Sequence, residues 1–462
     1  MFRGLLIGLV TRKCLPLVQF VVALIGLLTV GTATAQILPT PDYSGDLWTR
    51  STLTGDWGGN RGEWAAKGLH FDLDTTVTYQ NLVEGGLDEA DDILGSTSLM
   101  FQLDTGKAEL WPGGLLNIRG EARYGQGIQK DVGAIGPINS DALIPLEVDH
   151  FGDEVIGITE LSYIQFLSEK FGIIFGLINT EEGDANEFAG SIRDNDRFLN
   201  AAFGFSMVEA ISTPTVTLGA GAIYMPNESI LGSLIVFDTQ ESALNNPFET
   251  DEGTTISTEW TIKHSLFDLP GQQTFGGLYA FGQDFPEFGN DPRFVLGQVL
   301  SGQGVPTDDE TWALYYNAHQ YVEWDGTRGW GLFGRFGVSD QNVNPIDWTM
   351  AAGIGGNGLF SSRPNDVWGI GYYHIDLADA FVFRLADLND EDGVEVFYNA
   401  AITPWFHVTA DVQVIDTSLG QPLSGLIPFI GPGGLVPVAT GLGAIRESDM
   451  AWIFSLRVGI EF

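Results

Sequence analysis

Arg119, Glu121 and Arg123 stand two residues apart, and on an extended chain that spacing puts all three charges on one face. A dry packed interior does not accept three such charges in a row, whereas a wet wall does. There, guanidinium and carboxylate groups can hydrogen-bond the hydroxyls of a passing solute or hold a field across the water. The same parity puts Glu259, Lys263, His319, Arg335 and Arg457 on the polar faces of other segments. These eight residues are the candidates for contact with a solute. For the first three, a structural salt-bridge ladder along the wall is the competing role.

Bond-breaking chemistry finds less support. Gly353-Ile354-Gly355-Gly356-Asn357-Gly358 matches a phosphate-cradling G-x-G-x-x-G, but no helical pattern follows it, so it reads as a Gly-rich loop. The run Asp387-Leu388-Asn389-Asp390-Glu391-Asp392-Gly393 resembles a calcium loop with its glycine one place late and no glutamate at the twelfth position. It reads as a solvated acidic turn, as does Asp88-Glu89-Ala90-Asp91-Asp92, with weak surface binding of a divalent cation the alternative. The histidines at 70, 150, 264, 319, 374 and 407 lack metal-ligand spacing, and there is no G-x-S-x-G. No catalytic residue, cofactor or resident metal is therefore expected, although a hydrolase with an unpatterned Ser-His pair stays as a rival of another class.

The elements that must carry the charged faces are strands. Leu69, Phe71, Leu73, Thr75, Val77 and Tyr79 alternate with polar neighbours, as do Leu116, Ile118, Gly120, Ala122 and Tyr124. So do Ile256, Trp260, Ile262 and Leu266, and so do Trp330, Leu332, Phe336 and Val338. In a further segment Trp312, Leu314, Tyr316, Ala318, Val322 and Trp324 alternate with Asn317, His319 and Glu323. Each run is about the 9–11 residues of a tilted transmembrane strand, and aromatics sit near the ends, as an interfacial girdle requires. A soluble β-sandwich also alternates, but it would bury the Arg119-Glu121-Arg123 face. The expected fold is all-β: a transmembrane antiparallel β-barrel of about 16 strands, wide enough for a water-filled channel.

Composition agrees. The chain has 60 glycines, 44% hydrophobic and only 18% charged residues, too apolar for a disordered tail and too Gly-rich for a helical membrane bundle. Residues 1–35 read as a signal peptide: Arg3, Arg12 and Lys13, an apolar run from Leu15 to Val30, and Ala33-Thr34-Ala35 before the cut. Its removal takes the net charge from −39 to −42, and takes Cys14, so the exported chain has no cysteine. Such acidity excludes nucleic acid as a partner. Residues 36–68 form an N-terminal segment in which Asn60 could cap a short helix that Gly68 ends, at the periplasmic mouth or folded into the channel. Residues 69–462 form the barrel, and the uncharged stretch Leu426–Ile445 reads as a long apolar loop.

Three motifs carry a resemblance to a known family. They are Leu53-Thr54-Gly55-Asp56-Trp57-Gly58-Gly59 with Arg61 and Gly68; Gly183-Asp184-Ala185-Asn186-Glu187-Phe188 with Arg197-Phe198-Leu199-Asn200; and Tyr398-Asn399 followed by Thr403-Pro404-Trp405-Phe406-His407-Val408-Thr409-Ala410-Asp411-Val412-Gln413. Together they resemble the carbohydrate-selective (OprB-like) porins of Gram-negative outer membranes. Gly176-Leu177 replaces a usual Gly-Lys, and Asp416-Thr417-Ser418 a usual Asn-Pro. The final strand, with Trp452, Phe454, Leu456, Val458, Ile460 and Phe462 on one face, resembles the signal read by the barrel-insertion machinery. The resemblance implies an outer-membrane protein, set in lipid and lipopolysaccharide, that passes small hydrophilic solutes, above all monosaccharides, without catalysis. A general or cation-favouring porin is the nearest alternative, and a homotrimer is left open.

Overall fold

In the computed structural model the described residues are 37–146, 155–248, 253–287, 306–378, 389–418, 427–431, 434–438 and 450–462. The proposed leader lies outside them, as do Asp387 and Leu388 of the acidic run. The period-two segments form strands β1 (Leu69–Glu84), β2 (Ala90–Asp104), β3 (Gly114–Gly125), β4 (Val155–Ser168), β5 (Phe171–Asn179), β6 (Val216–Asn227), β7 (Ile230–Asp238) and β8 (Thr254–Leu266). The second half supplies β9 (Leu269–Pro286), β10 (Thr307–Trp324), β11 (Gly329–Ser339), β12 (Ile346–Asn357), β13 (Val367–Leu377), β14 (Glu391–Thr403), β15 (Phe406–Asp416) and β18 (Ala451–Glu461).

Each strand pairs antiparallel with its neighbours, and β18 pairs with both β15 and β1, closing a barrel of sixteen strands. Closure removes the sheet edges that a membrane would leave unpaired. One end of the barrel has turns of two residues, such as Glu169-Lys170 and Phe267-Asp268, while the other carries the long connections. The outward face is apolar: Leu99, Leu332, Phe336, Phe454 and Leu456 stay exposed, while the alternate residues Ser98, Arg335 and Arg457 are buried inside. So broad an exposed apolar belt is a lipid-facing wall.

Local structure departs from several of these readings, and Ala90–Asp92, read as part of an acidic turn, begin β2 in register with Leu82, Asn81 and Gln80. Gly353–Asn357 is not a loop but the end of β12. Inward-facing Gly355 and its β11 neighbour Gly331 flank Phe188, and a Cβ at either would come within 2.9 and 2.6 Å of that side chain. Only glycine leaves that socket, so the glycines answer to packing and not to phosphate. In β10 the register shifts between Tyr321 and Glu323, pairing Glu323 with Trp330 and Trp324 with Gly329. This bulge moves Glu323 onto Trp330's face, where it accepts the indole N–H at 3.3 Å, and turns Trp324 toward Tyr321. Asn60 is not the helix cap: it is the first residue of α1 (Asn60–Ala66), and Gly59 precedes it, while Gly68 ends the turn with φ of 88°. Glu391–Gly393 begin β14 and are not a turn. Within the apolar stretch 426–445, β16 (Ile427–Gly431) and β17 (Gly434–Val438) pair as a hairpin between β15 and β18.

Candidate functional site: a constriction held by inward loops

The lumen is narrowed by two long connections that fold inward, residues 126–146 after β3 and 180–215 after β5. The longer one carries apolar side chains that pack on the inner wall. Phe198 stacks on Phe203 at 4.3 Å and meets Phe397 of β14 edge-on at 4.7 Å, and Phe203 meets Tyr373 of β13 at 5.5 Å. Phe188, Met207 and Val208 join the same cluster with Phe333, Ile346 and Ala351. The loop is therefore seated on the inner wall by an apolar cluster that the strands β11, β13 and β14 share with it.

Ion pairs fasten the loop where apolar packing stops. Arg119 on β3 reaches Glu182 at 2.6 Å, with Glu160 of β4 at 3.9 Å. Arg193 bridges Glu121 of β3 and Glu181 of its own loop. Arg335 on β11 pairs with Asp184 and donates to the Gly190 carbonyl at 2.9 Å. Arg457 on β18 donates to the Arg197 carbonyl. Glu395 on β14 accepts from the N–H groups of Leu199 and Asn200. The shorter loop is tied likewise: Arg123 donates to the Ala142 carbonyl, and Glu391 accepts from the N–H groups of Ile135 and Gly136. Two backbone bonds, Ser140 N–H to Leu199 and Ala201 N–H to Pro137, join the loops to each other.

Each of the eight residues singled out from sequence can now be located. Arg119, Glu121, Arg123, Arg335 and Arg457 face inward and grip the loops. Glu259 accepts from the Asp184 N–H at 2.9 Å and from the Tyr315 hydroxyl at 2.8 Å. His319 lies beside Phe188 at 5.7 Å, with the Glu187 N–H directed at its Nδ1. Lys263 stands apart from them, exposed near the short-turn end of β8.

Residues not singled out complete the site. Glu182 keeps 61% of its side chain exposed although bonded to Arg119. Asp196 and Arg197 pair at 2.7 Å and stay partly exposed, and Glu187 is exposed beside the Tyr321 hydroxyl that donates to it at 3.0 Å. Period-two parity could not find them, because they sit on a loop. The motif Gly183–Phe188 with Arg197–Asn200 was the available signal.

Behind the loop, a cavity of about 280 Å³ lies against β5, β7, β8 and β10, lined by Ile192, Phe205, Met207, Glu209, Phe237 and Tyr315. Burial drives the Glu209 carboxyl well above the usual range, and the nearby Asp184 and Glu259 carboxylates add to it. Burial likewise pushes Asp184 up to about 6 against the pull of Arg335, and Glu181 up to about 7 against that of Arg193. The only described group with cation-ligand geometry lies elsewhere, on the outward rim: ligand atoms of His374, Asp376 and Asp390 fall within 4.8 Å of one another.

Comparison with known proteins returns a consistent answer. Residues 88–462 match the model of a family described as "Carbohydrate-selective porin, OprB family". Porin B of Pseudomonas aeruginosa is 23% identical over 412 residues, spanning 79% of this chain and 86% of that one. A structure of Pseudomonas putida OprB at high pH superposes with a TM-score of 0.74 at 21% identity, covering 90% of this chain and all of that one. Its low-pH counterpart gives 0.52 at 18% identity, covering 90% and 99%. These two likenesses speak to the fold.

Proposed function

This chain belongs to the OprB family of carbohydrate-selective porins in the Gram-negative outer membrane, and from that premise we propose how its own residues select the solute. Monosaccharides and similar hydrophilic solutes diffuse through the barrel and pass the loop 180–215 at its charged edge, formed by Glu182, Glu187, Asp196 and Arg197. No bond is broken. Opposite charges on that edge order water and exchange hydrogen bonds with hydroxyl groups, which favours a neutral, hydroxyl-rich solute over an apolar one of equal size. Arg119, Glu121, Arg123, Arg335 and Arg457 act mainly by holding the loops in place, and Glu259 and His319 line the inner wall beside them. The supporting observation is the set of buried ion pairs, Arg193 with Glu121 and Glu181 and Arg335 with Asp184, that pins a partly exposed charged edge inside a closed barrel.

Swelling of proteoliposomes in isosmotic glucose, arabinose, a neutral amino acid and a dicarboxylate tests this. Sugars should enter faster than the size-matched amino acid, and Glu182→Gln with Arg197→Gln should narrow the gap. Entry ranked by size alone would overturn sugar preference and leave a general porin. The acid excess at Glu182, Glu187 and Asp196 favours a second reading, a cation-preferring pore, which a reversal potential in a salt gradient reads directly.

A further inference from the structure

The segment ahead of β1 carries three exposed tryptophans at the short-turn end: Trp48 is 66% exposed, Trp57 41% and Trp64 40%. Two of them, Trp64 and Trp57, continue a line of rings that begins on the lipid-facing wall. Phe71 of β1 and Phe101 of β2 are partners in register on the outward face, 5.1 Å apart. Trp64 of α1 lies 5.8 Å from Phe71, and Trp57 lies 5.8 Å from Trp64. Trp57 takes a φ of 50°, a left-handed conformation unusual for an aromatic residue, and its ring lies 5.1 Å from the Arg61 guanidinium.

The other side of the segment is bolted to the seam of the barrel. Arg61, 2% exposed, donates to Thr52 Oγ1 at 2.8 Å, to the Phe462 carbonyl at 2.8 Å and to the Phe71 carbonyl at 2.5 Å, with its guanidinium over the Tyr43 ring at 4.1 Å. The Leu53 N–H donates to the Glu461 carbonyl at 2.7 Å. Trp405, in the turn between β14 and β15, donates its indole N–H to the Leu47 carbonyl at 2.8 Å. Fixed on its inner side, the segment turns its tryptophans outward at the level where the apolar wall ends.

We propose that α1 and its flanking turn are an interfacial anchor, with Trp57 and Trp64 seated in the glycerophospholipid headgroup layer of the periplasmic leaflet. Short turns mark the periplasmic end of such barrels, and tryptophan favours the boundary between hydrocarbon and water. The argument for lipid as the occupant is continuity: the ring line is an extension of the lipid-facing face. The charge agrees, since Glu63 and Lys67 offset each other at 3.8 Å and Arg61 is buried, which suits a zwitterionic surface and not a polyanion.

The test labels position 64 in a Cys14→Ser background. Trp64→Cys carries an environment-sensitive nitrobenzoxadiazole and is reconstituted in phosphatidylcholine–phosphatidylethanolamine vesicles. Ala66→Cys, exposed on the same helix, is a second variant that keeps both tryptophans, and Thr327→Cys on the exposed β10–β11 turn is the aqueous reference. Heat-modifiable migration verifies the fold of each. The expected result is quenching of label 64 by a headgroup-proximal nitroxide lipid, with iodide quenching reduced at least threefold relative to position 327. Iodide quenching equal to position 327, with none from nitroxide lipid, would overturn the proposal. So would protection from iodide without nitroxide quenching, which would put a protein surface, such as a second copy, on these rings.

Discussion

Replacing Arg335 by methionine removes one half of a pair in which both side chains are sealed from solvent: Arg335 is 3% exposed and Asp184 4%. Methionine keeps much of the length and apolar contact, so the main loss is electrostatic. An uncompensated buried carboxylate costs on the order of 3–5 kcal/mol, and the bond to the Gly190 carbonyl adds about 1 kcal/mol. The barrel itself is held by its closed strand ladder, so this cost falls on the docking of loop 180–215. Loosening by about 4–6 kcal/mol raises the population of the undocked loop by about three to four orders of magnitude. In planar bilayers Arg335→Met should show larger and noisier single-channel conductance, with weaker discrimination between sugar and amino acid in the swelling assay. The double variant Asp184→Asn with Arg335→Met leaves no orphan charge and should recover most of the quiet conductance. Unchanged conductance in the single variant, or equal damage in single and double, would refute the view that this pair holds the constriction.

Other consequences can be read at single positions. Gly355→Ala crowds Phe188, an overpacking cost of about 1–3 kcal/mol, and should produce the same conductance noise without any change of charge. Burial raises the Glu241 carboxyl from the usual 4.5 to about 7 against bonds from Thr215, Val216 and Ala243. A folded-state value raised this way gives stability that is complete below about 4.5 and lost as pH climbs through about 7. The unfolding free energy of the wild type relative to Glu241→Gln, read from urea titrations, should therefore fall between pH 5 and pH 8 by up to about 3 kcal/mol, and a flat difference would contradict it. Phe267 and Asp268 form a two-residue turn with φ of 53° and 63°, a geometry that suits Asn-Gly, so that exchange should raise the unfolding free energy from urea titration by about 1 kcal/mol. Glu182→Gln removes an exposed carboxylate from the channel edge and should move the reversal potential toward anions.

Much of the fold was legible because a strand's periodicity is local. Leu116 to Tyr124 declare one face lipid and the other lumen without reference to any distant residue, and sixteen such segments closing on β18 follow from length and amphipathicity. The bulge at Val322 escaped this reading, since one extra residue is invisible to a count of two and reverses the faces of Glu323 and Trp324. The Gly-rich run at 353–358 misled for a related reason. Glycine in a strand marks a socket only once the ring that fills it is known, and Phe188 is far away in the chain.

The charged residues divide along the same line. That Arg119, Glu121, Arg123, Arg335 and Arg457 point into the barrel is a matter of parity, so the sequence by itself determined it, although the loops and not water cover them. What each of them grips was decided by the tertiary structure alone. Asp184 and Arg335 are 151 residues apart, and Arg197 and Arg457 are 260 apart. The inward fold of 180–215 depends on burying Phe198 and Phe203 against a wall that exists only after the barrel closes. A side chain's face is set by its nearest neighbours in the chain. Its partner is set by which surfaces closure brings together.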